Sequence, residues 1–316
     1  MKGLTDIPGL RVGHATNLEA ITGCTAILCD GGAVAAVDAR GSATGSEEWD
    51  LLNPMHLTGR IDAICLSGGS AFGLEACSGV RRWLETKGIG FRTRYARVPL
   101  VAGAILYDLG IGGADVRPGR EMGEAAAKAA SEGPVEEGNV GAGAGATVGK
   151  VLSMTHAMKS GIGSFSERMS GKVVVAALVA VNAFGDVVDP GSRRVIAGAR
   201  TAPTSREFID TTKAMKRGAR GGLIGENTTL AVVATNAELT KVQAGKLAQF
   251  AQNGMVRAIS PVHTMFDGDV VFALSRGSEK ADLNELGVVA GEVLAEAIVR
   301  AVRSAKTLGG VPGLAG

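Results

Sequence analysis

The residue types best suited to chemistry without a cofactor meet at one junction, Gly225-Glu226-Asn227-Thr228-Thr229. There a polar, glycine-rich stretch stops and the apolar run Leu230 to Thr235 begins. A threonine hydroxyl is a weak nucleophile until a base takes its proton. If the backbone is cut before Thr228, the freed α-amine lies within reach of that residue's own hydroxyl. An α-amine has a pKa of roughly 7.7–8.0, so a useful fraction is neutral at physiological pH and can accept the proton. Such a nucleophile needs a flexible approach, an adjoining strand and neighbours that set its electrostatics. The segment offers the first two. On composition alone, the competing reading is that Thr228 merely starts a strand.

Other motifs fit less well. The Gly/Ala run ending at Gly149-Lys150 has the wrong spacing for a phosphate loop. Ala144 stands five before Gly149, and Val151 stands where a magnesium-binding Ser or Thr belongs. Gly141, Gly143 and Ala146 resemble a dinucleotide fingerprint, but no acidic residue closes a βαβ unit about 20 residues on. Ser67-Gly68-Gly69-Ser70-Ala71-Phe72-Gly73 joins a strand to a helix, where a hydrolase nucleophile could sit. Phe72 replaces the second glycine of G-x-S-x-G, so a tight turn with Ser70 capping the next helix is expected. His14, His56, His156 and His263 never pair at i, i+4, so neither zinc nor another cofactor is expected. Taken singly, Asp267-Gly268-Asp269 is a turn, Lys150 a solvated cation, and Asn182 with Gly185 the end of a strand.

The elements that must position these residues alternate short apolar runs with longer amphipathic ones. Strands are expected at Thr25 to Leu28, Ala33 to Asp38, Ala63 to Leu66, Val173 to Asn182, Leu230 to Thr235 and Val270 to Leu274. Helices are expected at Ala71 to Lys87, Arg120 to Ser131, Lys241 to Val256 and Asp282 to Ser304. Thr240 and Gln243 have capping-box spacing at the start of the third. Long helices beside near-continuously apolar strands imply an α/β layering. The irregular stretches are Gly110 to Arg120, Gly133 to Gly149 and Arg200 to Asn227. The Gly/Ala-rich end of the middle one favours close backbone approach.

Composition narrows the functional classes. The 33 basic and 31 acidic side chains give a formal charge of +2, with no long Lys/Arg run, so no nucleic-acid footprint exists. Aromatics at 4% leave few stacking platforms. With 46% hydrophobic and 20% charged residues the chain is globular. Its 316 residues allow one large or two moderate domains, and no clean linker divides them. The longest apolar run, Val173 to Val181, is about half of what a spanning helix needs, so no membrane partner is expected. The N-terminus lacks a signal-peptide core. Cys24, Cys29, Cys65 and Cys77 form no C-x-x-C pair and read as buried thiols. A cytoplasmic location is expected.

The chain resembles the self-cleaving peptidases typified by L-aminopeptidase/D-esterase, a family that includes β-peptidyl aminopeptidases and nylon-oligomer (aminohexanoate-oligomer) hydrolases. The similar segments run almost end to end. They are Gly9 to His14, Val37 to Gly41, Ser67 to Gly73, Ala104 to Asp108, Gly143 to Lys150, Gly225 to Leu230 and His263 to Asp269.

The resemblance implies self-cleavage between Asn227 and Thr228, making a larger portion 1–227 and a smaller portion 228–316 of one hydrolase domain. It implies that Lys150 hydrogen-bonds the nucleophile and that Asn182 donates to an oxyanion. Tyr107 would steady the same oxyanion or the substrate, and Asp267 with Asp269 would orient the freed ammonium and Lys150. Two carboxylates at i, i+2 on a strand edge would point the same way. The implied fold is a four-layer αββα sandwich similar to N-terminal-nucleophile hydrolases, assembled as a homotetramer of processed units. Substrates would be small peptides or amide oligomers, with aminopeptidase and nylon-hydrolase types both open. Ornithine-acetyltransferase-like acyl transfer and an unprocessed ligand-binding relative are the alternatives.

Overall fold

One long strand serves both of the main sheets. The computed structural model describes residues 2–219 and 226–316. In it, strand β1 (Leu10–Asn17) is followed by β2 (Thr22–Ala39), which joins the two strands expected at 25–28 and 33–38. The reason lies between them. Gly31 and Gly32 adopt φ of +72° and +79°, a left-handed backbone open to glycine, and the pairing register shifts between Leu28 and Ala33. This bulge bends the strand without ending it.

The first half of β2 pairs with β1 and, on its other edge, with β4 (Ile61–Ser67). Beyond β4 lie β5 (Val101–Ile105) and the short β3 (Gly45–Glu47). The second half pairs with β9 (Val270–Glu279), then β8 (Thr228–Ala237), β7 (Val174–Asn182) and β6 (Ile162–Arg168). The β8–β9 pair is parallel, and β7–β8 is antiparallel.

Strand alternation sorts the side chains into layers. Leu178, Leu230, Val232 and Phe272 meet Ile27, Ile64 and Leu66 in a core between the sheets. Burying Leu178 or Phe272 there is worth about 1.5–3 kcal/mol each. Val179, Val233 and Val271 face the opposite way, onto α3 (Lys241–Ala258) and α4 (Leu283–Arg303). Cys24, Ala26 and Cys65 pack on α1 (Glu75–Thr86) and α2 (Arg120–Ala129). The order is helices, sheet, sheet, helices: the four-layer αββα sandwich.

Helix α3 carries the expected capping box, with Gln243 N donating to Thr240 Oγ1 at 3.2 Å and Thr240 N to Gln243 Oε1 at 2.9 Å. Ser70 does not cap the first helix. It has φ +55° itself and opens a 3-10 turn, Ser70–Leu74, and its N–H donates to Leu106 O at 3.0 Å. Helix α1 therefore starts only at Glu75. All four cysteines are buried and free. Among the described residues no helix is long and apolar enough to cross a membrane. The glycine-rich approach at 220–225 lies outside the described residues.

Candidate active site

The junction singled out in the sequence lies at the shared end of three strands. On β7 the inter-sheet face carries Ala176, Leu178 and Ala180, and the same period places Asn182 on it. On β8 that face carries Leu230, Val232 and Ala234, and therefore Thr228. The antiparallel register sets Asn182 directly opposite Thr228. Across the other edge of β8, Asn227 bridges Asp267 in the parallel sense, so Asp267-Gly268-Asp269 enters β9 alongside Thr228.

Thr228 is 2% exposed. Its Oγ1 donates to the carbonyl oxygen of Asn227 at 2.6 Å, and the Gly268 N–H donates to the same oxygen at 2.8 Å. The Asn227 carbonyl oxygen thus carries two donors, one of them the hydroxyl of the residue that follows it.

Lys150 reaches the site from the Gly/Ala run. Gly149, at φ +73°, brings the chain so close to Ala199 that a Cβ would lie 2.1 Å from its nitrogen, a passage only glycine permits. Lys150 Nζ then donates to Asn182 Oδ1 at 2.7 Å and to Asn182 O at 3.3 Å. Its hydrogen bonds go to Asn182, not to Thr228 Oγ1, in the uncut chain. Burial pushes the Lys150 ammonium down to about 7, against the opposing pull of Asp267, Glu226 and Asp108.

Asn182 is fully engaged. Its Oδ1 also accepts from Thr147 N at 3.1 Å, while its Nδ2 donates to Tyr107 O at 2.8 Å and Glu226 O at 3.4 Å. Tyr107 contributes its backbone carbonyl to this network, and it lines a cavity of about 60 Å3 with Asp108, Ile111, Lys150, Met154 and Glu226. A larger cavity of about 820 Å3 lies elsewhere, between Trp49 and the start of α3. Among the described residues it gathers no comparable set of reactive groups, so the small cavity is the candidate for chemistry.

The two carboxylates lie just before β9 and take separate partners. Asp267 Oδ1 accepts from Phe184 N at 3.0 Å, and its Oδ2 accepts from Thr264 Oγ1 at 2.5 Å. Asp269 Oδ1 accepts from Thr229 N at 2.8 Å, and its Oδ2 is paired with His263 N at 3.1 Å and His263 Nδ1 at 2.9 Å. Burial first, and then the charge of Asp269, push the Asp267 carboxyl up to about 6; the Thr264 and Phe184 bonds and Lys150 oppose this.

Several partners were not singled out from sequence. His263 and Thr264 each clamp one carboxylate. Lys159, with no exposed surface, donates to Ala146 O at 2.7 Å and Ser160 O at 2.8 Å, tying down the run that carries Lys150. Burial pushes its ammonium down to about 7 as well. Asp108 accepts from Gly69 N and Thr22 Oγ1, each at 2.7 Å, and burial raises its carboxyl. Among the described residues no group of three or more His, Cys, Asp or Glu could hold a metal ion.

Comparisons with known proteins point the same way as the geometry. The model of peptidase family S58 matches residues 2–315. An uncharacterised aminopeptidase of Mycobacterium leprae is 36% identical, over 99% of this chain and 93% of the relative. A 6-aminohexanoate-oligomer endohydrolase of Kocuria sp. is 33% identical, over 94% of this chain and 85% of its own. Among solved structures, a β-aminopeptidase from Burkholderia sp. superposes with a TM-score of 0.70 at 23% identity, covering 99% of this chain and 90% of that one. An L-aminopeptidase D-Ala-esterase/amidase from Ochrobactrum anthropi, described as a variant of the Ntn-hydrolase fold, gives 0.75 at 20% identity, covering 98% and 88%. At those identities the solved structures speak for the fold.

Proposed function

The chain belongs to peptidase family S58, and from that premise we propose that it is an amide-bond hydrolase that matures by cutting itself before Thr228. The observation that carries this reading is the Thr228 hydroxyl resting on the Asn227 carbonyl at 2.6 Å, buried among Lys150, Asn182, Asp267 and Asp269.

Maturation begins when Thr228 Oγ adds to the Asn227 carbonyl carbon. The hydroxyl proton passes to the departing amide nitrogen, the C–N bond breaks, and an ester with a free Thr228 α-amine results. Water then cleaves the ester, giving portions 1–227 and 228–316. In turnover the α-amine takes the hydroxyl proton, Oγ attacks a substrate amide, and the amine leaves protonated. Water releases the acyl group from the acyl-enzyme. Asn182 Nδ2 supplies the donor for the oxyanion of this second act, Lys150 holds its amide in place, and Tyr107 flanks the acyl group. Asp267 and Asp269 face the new ammonium. No step calls for a metal or other cofactor.

Relatives named as aminopeptidases and as a 6-aminohexanoate-oligomer endohydrolase support a small peptide or aliphatic amide oligomer as substrate; the working form proposed from the family resemblance is a homotetramer of processed units in the cytoplasm. The test is product analysis of purified enzyme on short peptides and on aminohexanoate oligomers, beside Thr228→Ala. The variant is expected to remain one chain and to hydrolyse neither; cutting at the same bond would end the reading.

A further inference from the structure

We infer that the backbone N–H of Gly268 is the oxyanion donor for self-cleavage, distinct from the side chain that serves substrate turnover. The inference rests on the proposed cut before Thr228 and adds a group that takes the developing charge.

Two donors lie on the Asn227 carbonyl oxygen: Thr228 Oγ1 at 2.6 Å and Gly268 N at 2.8 Å. They cannot both persist through the reaction. As Thr228 Oγ bonds to the carbonyl carbon it gives up its proton, so it stops being a donor when the carbonyl π pair moves onto oxygen. Among the described residues, the Gly268 N–H is then the remaining donor on that oxygen. Fixed in the backbone and buried with Asp267 and Asp269, both 1% exposed, it needs no reorganisation as charge develops.

Asn182 does not fill this role in the uncut chain. Its Nδ2 is held by the carbonyls of Tyr107 and Glu226, the latter one peptide upstream of the scissile group.

The identity of residue 268 follows from the same geometry. A Cβ there would lie 2.8 Å from Thr228 Oγ1 and 2.4 Å from Ala43 O. The backbone at this position is outside the left-handed region, so the demand for glycine comes from close packing, first against the Ala43 carbonyl and then against the Thr228 hydroxyl. The Asp-Gly-Asp sequence reads in this light as a donor flanked by two carboxylates.

The bond also extends the parallel pairing of Asn227 with Asp267, so the experiment must separate catalysis from ladder stability. Glycolate in place of Gly268, introduced by nonsense suppression, swaps the N–H for an ester oxygen and leaves the side chain unchanged. The control is glycolate in place of Gly41, which removes a neighbouring backbone bond to Asp269 O, 3.2 Å long, without touching Asn227. Processing of freshly made chains is followed by gel and mass at a temperature where thermal melts show all three folded. The expected result is a rate about 100-fold or more below wild type for the Gly268 ester, with the Gly41 ester near wild type. Once it has slowly matured, the Gly268 ester enzyme is expected to keep most of its turnover rate. Processing of the Gly268 ester at the wild-type rate, or equal slowing by both esters, would overturn the inference. A wild-type chain that never cuts would instead remove the reading beneath it.

Discussion

Asn182 and Thr228 face each other as the last residue of β7 and the first of β8. Strand register alone brings them together, and because each continues the inter-sheet face of its strand, both project into the same end of the sandwich. That placement makes Asn182 the cross-strand partner of the proposed nucleophile. Asn182→Ala should slow turnover of matured enzyme by roughly 10²–10³-fold, equivalent to about 3–4 kcal/mol of barrier. Steady-state kcat measures it, and a near-normal value takes Asn182 out of the mechanism.

Lys150 gives a pH signature. Its folded pKa of about 7 lies below the ordinary lysine value of 10.5. Between those values the unfolded chain holds a proton that the folded chain has lost, so this residue makes stability rise with pH across the window. Below about 7 the penalty of burying the charge is present in full. In an uncleaved Thr228→Ala background, Lys150→Met removes the titration. The stability of the Met variant relative to its parent should be greatest near pH 6 and decline steadily toward pH 10. Paired denaturation curves across that range check it; a difference independent of pH contradicts the assignment.

Thr264 and His263 give a test of the carboxylates without altering them. Thr264→Val removes the hydroxyl that donates to Asp267 Oδ2. A hydrogen bond to a charged acceptor is worth about 1.5–3 kcal/mol, and a loss of that size is expected by chemical denaturation together with slower self-cleavage. Thr264→Ser keeps the donor and should restore the processing rate even if packing is not fully recovered. Equal processing by the Val and Ser variants would show that the hydroxyl does not matter to the carboxylate's task.

Much of this arrangement was legible in the residues, and the misses have two causes. The long apolar runs at 173–182 and 230–235 announced β7 and β8, and the Thr240/Gln243 spacing announced the start of α3. Strands β1, β5 and β6 gave no such signal because each carries a glycine where a helix crosses close. A Cβ at Gly13 would lie 2.2 Å from Ala126 O, at Gly103 2.3 Å from Cys77 Sγ, and at Gly163 2.0 Å from Ala297 O. The requirement for contact erased the apolar pattern that contact usually leaves. Thr228 stood out from the junction of a glycine-rich stretch with an apolar strand; Lys150, Asn182, Asp267 and Asp269 came from the resemblance, and the structure gathers all of them at one strand end. Lys159 and Thr264 stayed hidden because their partners are backbone carbonyls and one carboxylate that only the folded chain brings near. No local spacing encodes such partners.

The central claim is the cut before Thr228, and it is tested most directly by intact mass and N-terminal sequencing of a preparation whose specific activity is measured on the same sample. The account predicts two polypeptides, 1–227 and 228–316, the smaller beginning at Thr228, with activity proportional to the cut fraction. A fully active preparation with an unbroken chain through Asn227 and Thr228 would contradict it.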